Sequence, residues 1–209
     1  MKKVFIVLMV LLFSSCGSVP LTTQKQPGTK VLIPHVPIKI HGIAALSPQD
    51  GDDWYFQRGS RNMRVNFTKA GLQPYESVIA STFLYKLKSY DSVEQLLKNV
   101  SDDLANGTDP NRFNVIEQDT SIHQVKNDMT CIKYSLLMED TKPKSVDQAM
   151  HLRSVGYICP HPDGKKKAAV DSSLSARYFP DNHGFYSKGL LDAKLQSYFD
   201  KLIFEKFNR

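Results

Sequence analysis

The chain has 209 residues, a formal net charge of +6 and 41% hydrophobic residues. Lys2 and Lys3 supply two of those charges, and the rest of the surplus is scattered. The run Lys165-Lys166-Lys167 reads as a solvated loop, and no basic stripe interleaved with aromatics is present, which argues against nucleic acid as a partner.

The chain opens on Lys2 and Lys3, followed by an apolar run from Val4 to Phe13 and then Ser14, Ser15, Cys16 and Gly17. A short basic segment, an apolar segment and small residues before a cleavage point make a secretory signal. The run is about half of the ~20 residues that a membrane-spanning helix needs. Phe13-Ser14-Ser15-Cys16 resembles the bacterial lipobox, in which a diacylglycerol thioether forms on the cysteine before cleavage. The family prefers Leu where Phe13 stands. The resemblance implies a bacterial lipoprotein with residues 1–15 as the signal peptide and Cys16 as the lipidation site, carrying palmitate-type acyl chains. Gly17 stands where an Asp would imply inner-membrane retention, so the same resemblance favours the outer membrane, facing the periplasm.

Residues 16–38 read as a tether, with Pro20, Pro27, Pro34 and Pro37 spaced among Thr, Gln and Lys, a composition that favours extended backbone. Residues 39–209 then form one domain, large enough for its own core. Asp53 to Gln57 carries Trp54 and Phe56 at period two, Gly59-Ser60 turns, and Met63, Val65 and Phe67 alternate with polar residues, which predicts a hairpin. A longer strand runs from Ser77 to Leu87, with Ile79, Phe83, Tyr85 and Leu87 on one face. Ser92 caps the first helix with Gln95 as its capping-box partner. Val93, Leu96, Leu97, Val100 and Leu104 recur at helical spacing, and Gly107 ends it. Strand patterns return around Phe113 and Val115, from Thr130 to Met138, from Leu152 to Cys159 and from Ala168 to Phe179. Asp140 to Ala149 reads as a loop with a short helical turn. The closing helix is expected from Gly189 to Phe207, with Leu191, Leu195, Tyr198, Phe199, Leu202 and Ile203 in one stripe.

Alternating polar positions favour a twisted antiparallel sheet over a doubly wound parallel one, so the class is α+β with two main helices on one or both faces. The Trp54-Tyr55-Phe56 strand, the capped helix after the long strand and the amphipathic terminal helix resemble the Mog1/PsbP-like fold. Members of that fold bind other proteins and assist assembly, and the resemblance implies no catalytic residues here.

The chain has three cysteines, and acylation of Cys16 leaves Cys131 and Cys159 as an even pair in an oxidising compartment. A disulfide is the economical reading. A metal site on Cys159 and His161 would have two ligands at cramped spacing, and two buried free thiols are the third possibility. No nucleophile elbow, P-loop, dinucleotide fingerprint or zinc-protease motif is present. Asp50, Asp52 and Asp53 start like a calcium loop, but Trp54 takes the next ligand position and no Glu closes it. His183, in Asp181-Asn182-His183-Gly184, reads as turn chemistry, and His35, His41, His123, His151 and His161 as surface or satisfied core residues. Tyr55, Tyr75 and Tyr178 are candidates for an exposed recognition surface.

The expectation is therefore a lipid-anchored envelope protein that binds an envelope protein partner or assists assembly. It has membrane contact through its N-terminal lipid, no nucleic-acid partner, no cofactor, no metal and no catalytic site. Two other readings stay open. One is an envelope hydrolase, for which a Ser or Asp within hydrogen-bond reach of His161 or His183 in a deep pocket would speak. The other is a carrier of a small apolar ligand, for which an apolar cavity between sheet and helix would speak. Cys16→Ser should abolish incorporation of labelled palmitate and leave the signal uncleaved; a lipid-free mature protein starting at another residue would contradict the lipobox reading.

Overall fold

The computed structural model describes residues 29–30, 36–48, 53–58, 63–125, 128–144, 146–164 and 167–207. Cys16, the signal and most of the expected tether lie outside the described residues, as do Asp50, Asp52, Lys165 and Lys166. Eleven strands are described: β1 (Thr29–Lys30), β2 (Ile38–Ile40), β3 (Ile43–Ala45), β4 (Tyr55–Arg58), β5 (Arg64–Ala70), β6 (Ser77–Lys86), β7 (Phe113–Val125), β8 (Met129–Asp140), β9 (Met150–Pro160), β10 (Ala168–Tyr178) and β11 (Ile203–Phe204). The helices are α1 (Val93–Asn106) and α2 (Lys188–Phe199), preceded by a 3-10 segment, Pro180–Tyr186. One antiparallel sheet runs β1-β4-β5-β6-β10-β9-β8-β7, and a small one runs β11-β3-β2. The architecture is α+β.

Period-two alternation puts the two sides of the large sheet into two cores. Val65, Phe67, Ala80, Val155, Tyr157, Val170 and Leu174 share the first with α2 residues Leu191, Leu195, Tyr198 and Phe199 and with Ile40 and Ile43 of the small sheet. Leu87, Ile132, Tyr134, Ile158 and Ala169 share the second with Leu96 and Val100 of α1. The sheet is thus covered on both faces. At about 2 kcal/mol per fully buried large apolar side chain, each core outweighs the helix's own propensity.

Helix α1 starts where Ser92 Oγ accepts from Gln95 N at 3.2 Å, while Gln95 Oε1 reaches back to Asp91 N at 2.7 Å, one residue before the cap. It stops at Gly107. The 141–149 segment carries no helix among its described residues. At the same end, Asp140 is gripped by Arg112, at 2.9 and 2.7 Å, and by Arg177 at 2.6 Å, and these guanidinium partners hold its carboxyl below the usual carboxylate range.

Two expectations need correction at the ends of the domain. The closing helix ends at Phe199, well short of Phe207, because the chain turns at Asp200, buries Leu202 and adds β11 to β3. Tail residue Phe207 stacks on His161, and a Cβ at Gly42 would meet the Phe207 ring at 2.4 Å. Within residues 16–38, β1 pairs with β4, and β2 begins at Ile38, so parts of that stretch belong to the folded domain.

Cys131 and Cys159 lie on β8 and β9, one position beyond the paired Ile132 and Ile158, and are joined by a disulfide with Cα atoms 4.3 Å apart. Both are fully buried against the α2 side. For a separation of 28 residues, replacing both by Ala should cost about 3–4 kcal/mol on the chain-entropy view, read as a lower urea midpoint. Thiols that alkylate in envelope extract without prior reduction would contradict the bridge.

Candidate functional site

The best-organised cluster on the surface is built on a buried carboxylate. Glu76 is 2% exposed and sits just ahead of β6, where Tyr75 at φ 71° closes the turn in the left-handed region. Its Oε2 accepts from Leu72 N and Gln73 N, both at 3.1 Å, and from the Tyr186 hydroxyl at 3.2 Å. Its Oε1 accepts from Phe179 N at 3.0 Å and from Asn182 Nδ2 at 2.7 Å. The Tyr186 hydroxyl also accepts from Leu72 N at 2.9 Å. A buried carboxylate is tolerated when donors saturate it, and here the donors come from two segments more than a hundred residues apart. Glu76 thereby locks the β5–β6 turn to the 3-10 segment.

Both locked segments carry large apolar residues into solvent: Leu72 is 59% exposed, Tyr75 42% and Phe185 66%; Leu190, in the first turn of α2 just beyond them, is 50% exposed. Of the three tyrosines singled out in the sequence, Tyr75 is exposed, Tyr55 is half-buried, and Tyr178 is fully buried, stacked on Tyr186. Tyr178 is therefore a core residue, and Phe185 and Leu190 stand in its place. Neither of these two was legible, because an exposed apolar side chain has the same local pattern as a buried one.

A second polar group lies inside the sheet. Asp171, on the α1 side of β10, is 5% exposed. Tyr134 leans over Gly156, where a Cβ would meet its ring at 2.4 Å, and its hydroxyl lies 3.1 Å from Asp171 Oδ1. Burial pushes the Asp171 carboxyl up to about 7, against the opposing pull of the Tyr134 hydrogen bond and Arg64. Burial likewise pushes the Tyr134 phenol upward. Arg64 lies over the Phe83 ring at 4.2 Å, on a cleft of about 580 Å³ shared with Leu84, Tyr85, Lys86, Asp103 and Asn106. This cleft is open and carries charge, unlike the apolar cavity that a carrier would need.

Four of the histidines, His41, His123, His151 and His161, are engaged in packing, and His35 lies outside the described residues. His161 is buried; its Nδ1 accepts from Asp163 N at 3.1 Å, which leaves Nε2 as the donor to the Gly42 carbonyl at 2.9 Å. With both ring nitrogens occupied and Cys159 in the bridge, the Cys159–His161 pair offers no metal ligand. His41 stacks on Phe207, His123 on Tyr157, and His151 meets Tyr178 edge-on. His183 lies exposed on the 3-10 segment. Among the described residues no group of three His, Cys, Asp or Glu is placed to hold a metal ion.

No family model matches the chain, and no curated protein matches it. Among solved structures it is similar to the Ran-binding protein Mog1p of Saccharomyces cerevisiae, at 13% identity and TM-score 0.46, covering 78% of this chain and 90% of that one. It is also similar to LpqN of Mycobacterium tuberculosis, described as involved in cell envelope biogenesis, at 13% identity and TM-score 0.46 over 88% of each chain. A third likeness is to cyanobacterial PsbP (CyanoP) of Synechocystis, at 12% identity and TM-score 0.43, covering 78% of this chain and 86% of that one. These likenesses fall in the Mog1/PsbP-like group, and the α+β class itself rests on the sheet and helices described above.

The Asp171 carboxyl gives a signed test. Its folded-state pKa is raised from 3.8 to about 7, so the native state holds a proton that the unfolded chain releases, and this group's stabilisation falls as pH rises from about 4 to about 7. Asp171→Asn keeps a hydrogen-bond partner for Tyr134 and removes the titration. Its stability relative to the parent should be near zero at pH 3, where the unfolded chain also keeps the proton, and rise to a gain of up to about 4 kcal/mol at pH 8; a difference that does not change with pH would contradict a buried neutral carboxyl.

Proposed function

We propose that the chain is a lipid-anchored protein of the bacterial cell envelope, held through Cys16 to the outer membrane on its periplasmic side, and that its domain is a protein-binding or assembly module and not an enzyme. One observation carries the binding reading. The exposed Leu72, Tyr75 and Phe185 sit on segments that a saturated buried carboxylate holds in place, and the exposed Leu190 follows in the first turn of α2. Exposed apolar residues held rigidly lose little entropy on binding, and patches rimmed by polar groups usually mark interaction sites. The engaged nitrogens of His161 favour this over a hydrolase built on that residue. An anchor at Cys16 would raise the effective concentration of weak contacts to other membrane-bound proteins, which suits assembly better than turnover of a diffusing substrate.

A photo-crosslinking residue at position 185 of the full chain, in the native envelope, should capture one recurrent protein, and the same probe in place of Lys98 on α1 should not. Leu72→Ser should reduce the capture at position 185 without lowering the thermal midpoint. The same product at both probe positions, or none at position 185 while the purified protein turns over an envelope substrate, would contradict the reading.

A further inference from the structure

Strand β7 forms one border of the large sheet, and among the described residues nothing pairs with its outer edge. The strand is 13 residues long. Natural sheets blunt such edges with Lys, Pro, shortness or bulges, because an open row of N–H and C=O groups recruits another strand. Phe113–Val125 contains no Lys, Arg or Pro. Its one irregularity, between Val115 and Glu117, lies near its start and leaves Glu117 to Val125 regular. Ile122 is 40% exposed there, beside the fully buried Ile132. The opposite border is different: β4 is already covered by β1.

The side chains of the regular stretch complement themselves when the strand is turned end for end. With Thr120 on a two-fold axis, Glu117 of one copy lies opposite His123 of the other, Asp119 opposite Ser121, and Gln118 opposite Ile122. Asp119 then faces a hydroxyl that can donate to it, and Glu117, which also accepts from Arg153 of its own chain at 3.2 Å, faces the imidazole of His123. The β-branched Thr120 meets its own copy, a favourable cross-strand pair. Moving the axis to Asp119 sets two carboxylates face to face, and moving it to Ser121 places Glu117 against the buried Val125. We infer that the outer edge of β7 is a self-association surface, where a second copy of this chain adds antiparallel about Thr120 and continues the sheet. This goes beyond the binding reading above and does not depend on it, since β7 and the Glu76-held turn are separate surfaces.

A pairing of about seven residues buries less than a stable dimer needs, so the contact is weak and is best trapped covalently. Thr120→Cys in the full chain, oxidised in the native envelope, places two Cα atoms about 5 Å apart across the axis, within reach of a disulfide. Ile122→Cys places the equivalent pair four residues out of register, more than about 13 Å apart and beyond that reach. The expected result is a product of twice the chain's mass on a non-reducing gel, at least about tenfold stronger for Thr120→Cys than for Ile122→Cys. Glu117→Lys on the Thr120→Cys background should weaken it, and adding His123→Glu should restore it. Equal products from the two cysteines, no doubled product from Thr120→Cys, a product of another mass, or indifference to the charge changes would each overturn the inference.

Discussion

A sheet covered on both faces must find partners without water for the polar side chains buried along its inner strands, and this constraint shapes the molecule. Strand β10 lies inside the large sheet and carries Asp171, Ser172 and Ser173 in succession, all buried. Leaving such groups unpaired costs about 1–3 kcal/mol each. Each face supplies partners from the element packed over it or from the next strands. On the α2 side, Ser172 meets Thr82 at 3.3 Å, and Thr82 meets the buried Tyr198 hydroxyl of α2 at 2.8 Å. On the α1 side, Tyr134 crosses Gly156 to reach Asp171, which burial drives towards its neutral form against the weaker pull of Tyr134 and Arg64. The Thr82–Tyr198 bond ties α2 to the sheet, while the Tyr134–Asp171 pair links β8 to β10 beneath α1.

With the interior closed, the surfaces left for contact are the ends and edges of the sheet. Glu76 shows how the fold stiffens one end: five donors from two distant segments converge on one carboxylate, and the apolar residues those segments carry stay in water. A hydrophobic residue on a loose turn would gain little by being exposed, since ordering it on binding costs entropy. On a locked turn that cost has been met during folding. The same end of the sheet is also held by Asp140, between Arg112 and Arg177, and at the opposite end the tail is clamped over His161 by Phe207.

The parts of the fold legible in the sequence are those where a local rule and tertiary packing agree. Val93 to Asn106 is helical because its cap, apolar spacing and terminating glycine all coincide. The hairpin through Val65 and Phe67 and the long strands follow period-two alternation, and Ile79, Phe83, Tyr85 and Leu87 do share the α1 side of the sheet. The closing helix was over-extended because Leu202 and Ile203 continue its stripe, although Leu202 is buried from a turn and Ile203 pairs in a strand. The buried run Asp171-Ser172-Ser173 on β10 has no local mark of an interior position, since Tyr134 and Thr82, the partners of Asp171 and Ser172, lie on other strands. The Glu76 cluster was not legible, since three of its five partners, Phe179 N, Asn182 and Tyr186, lie over a hundred residues away and the two near ones are backbone N–H groups, which every residue has. Asn182 did lie in the segment read as turn chemistry, but nothing local says what it turns towards.

The claim on which the functional account rests is that Glu76 organises a recognition surface and does more than stabilise a turn. The direct measurement is capture at position 185 in a Glu76→Ala chain, held at a temperature where circular dichroism shows the sheet intact. The expected result is loss of the recurrent product with the fold retained, because the β5–β6 turn and the 3-10 segment are no longer locked together. Undiminished capture of the same partner would show that the contact does not depend on the Glu76 lock, and the account would be wrong at its centre.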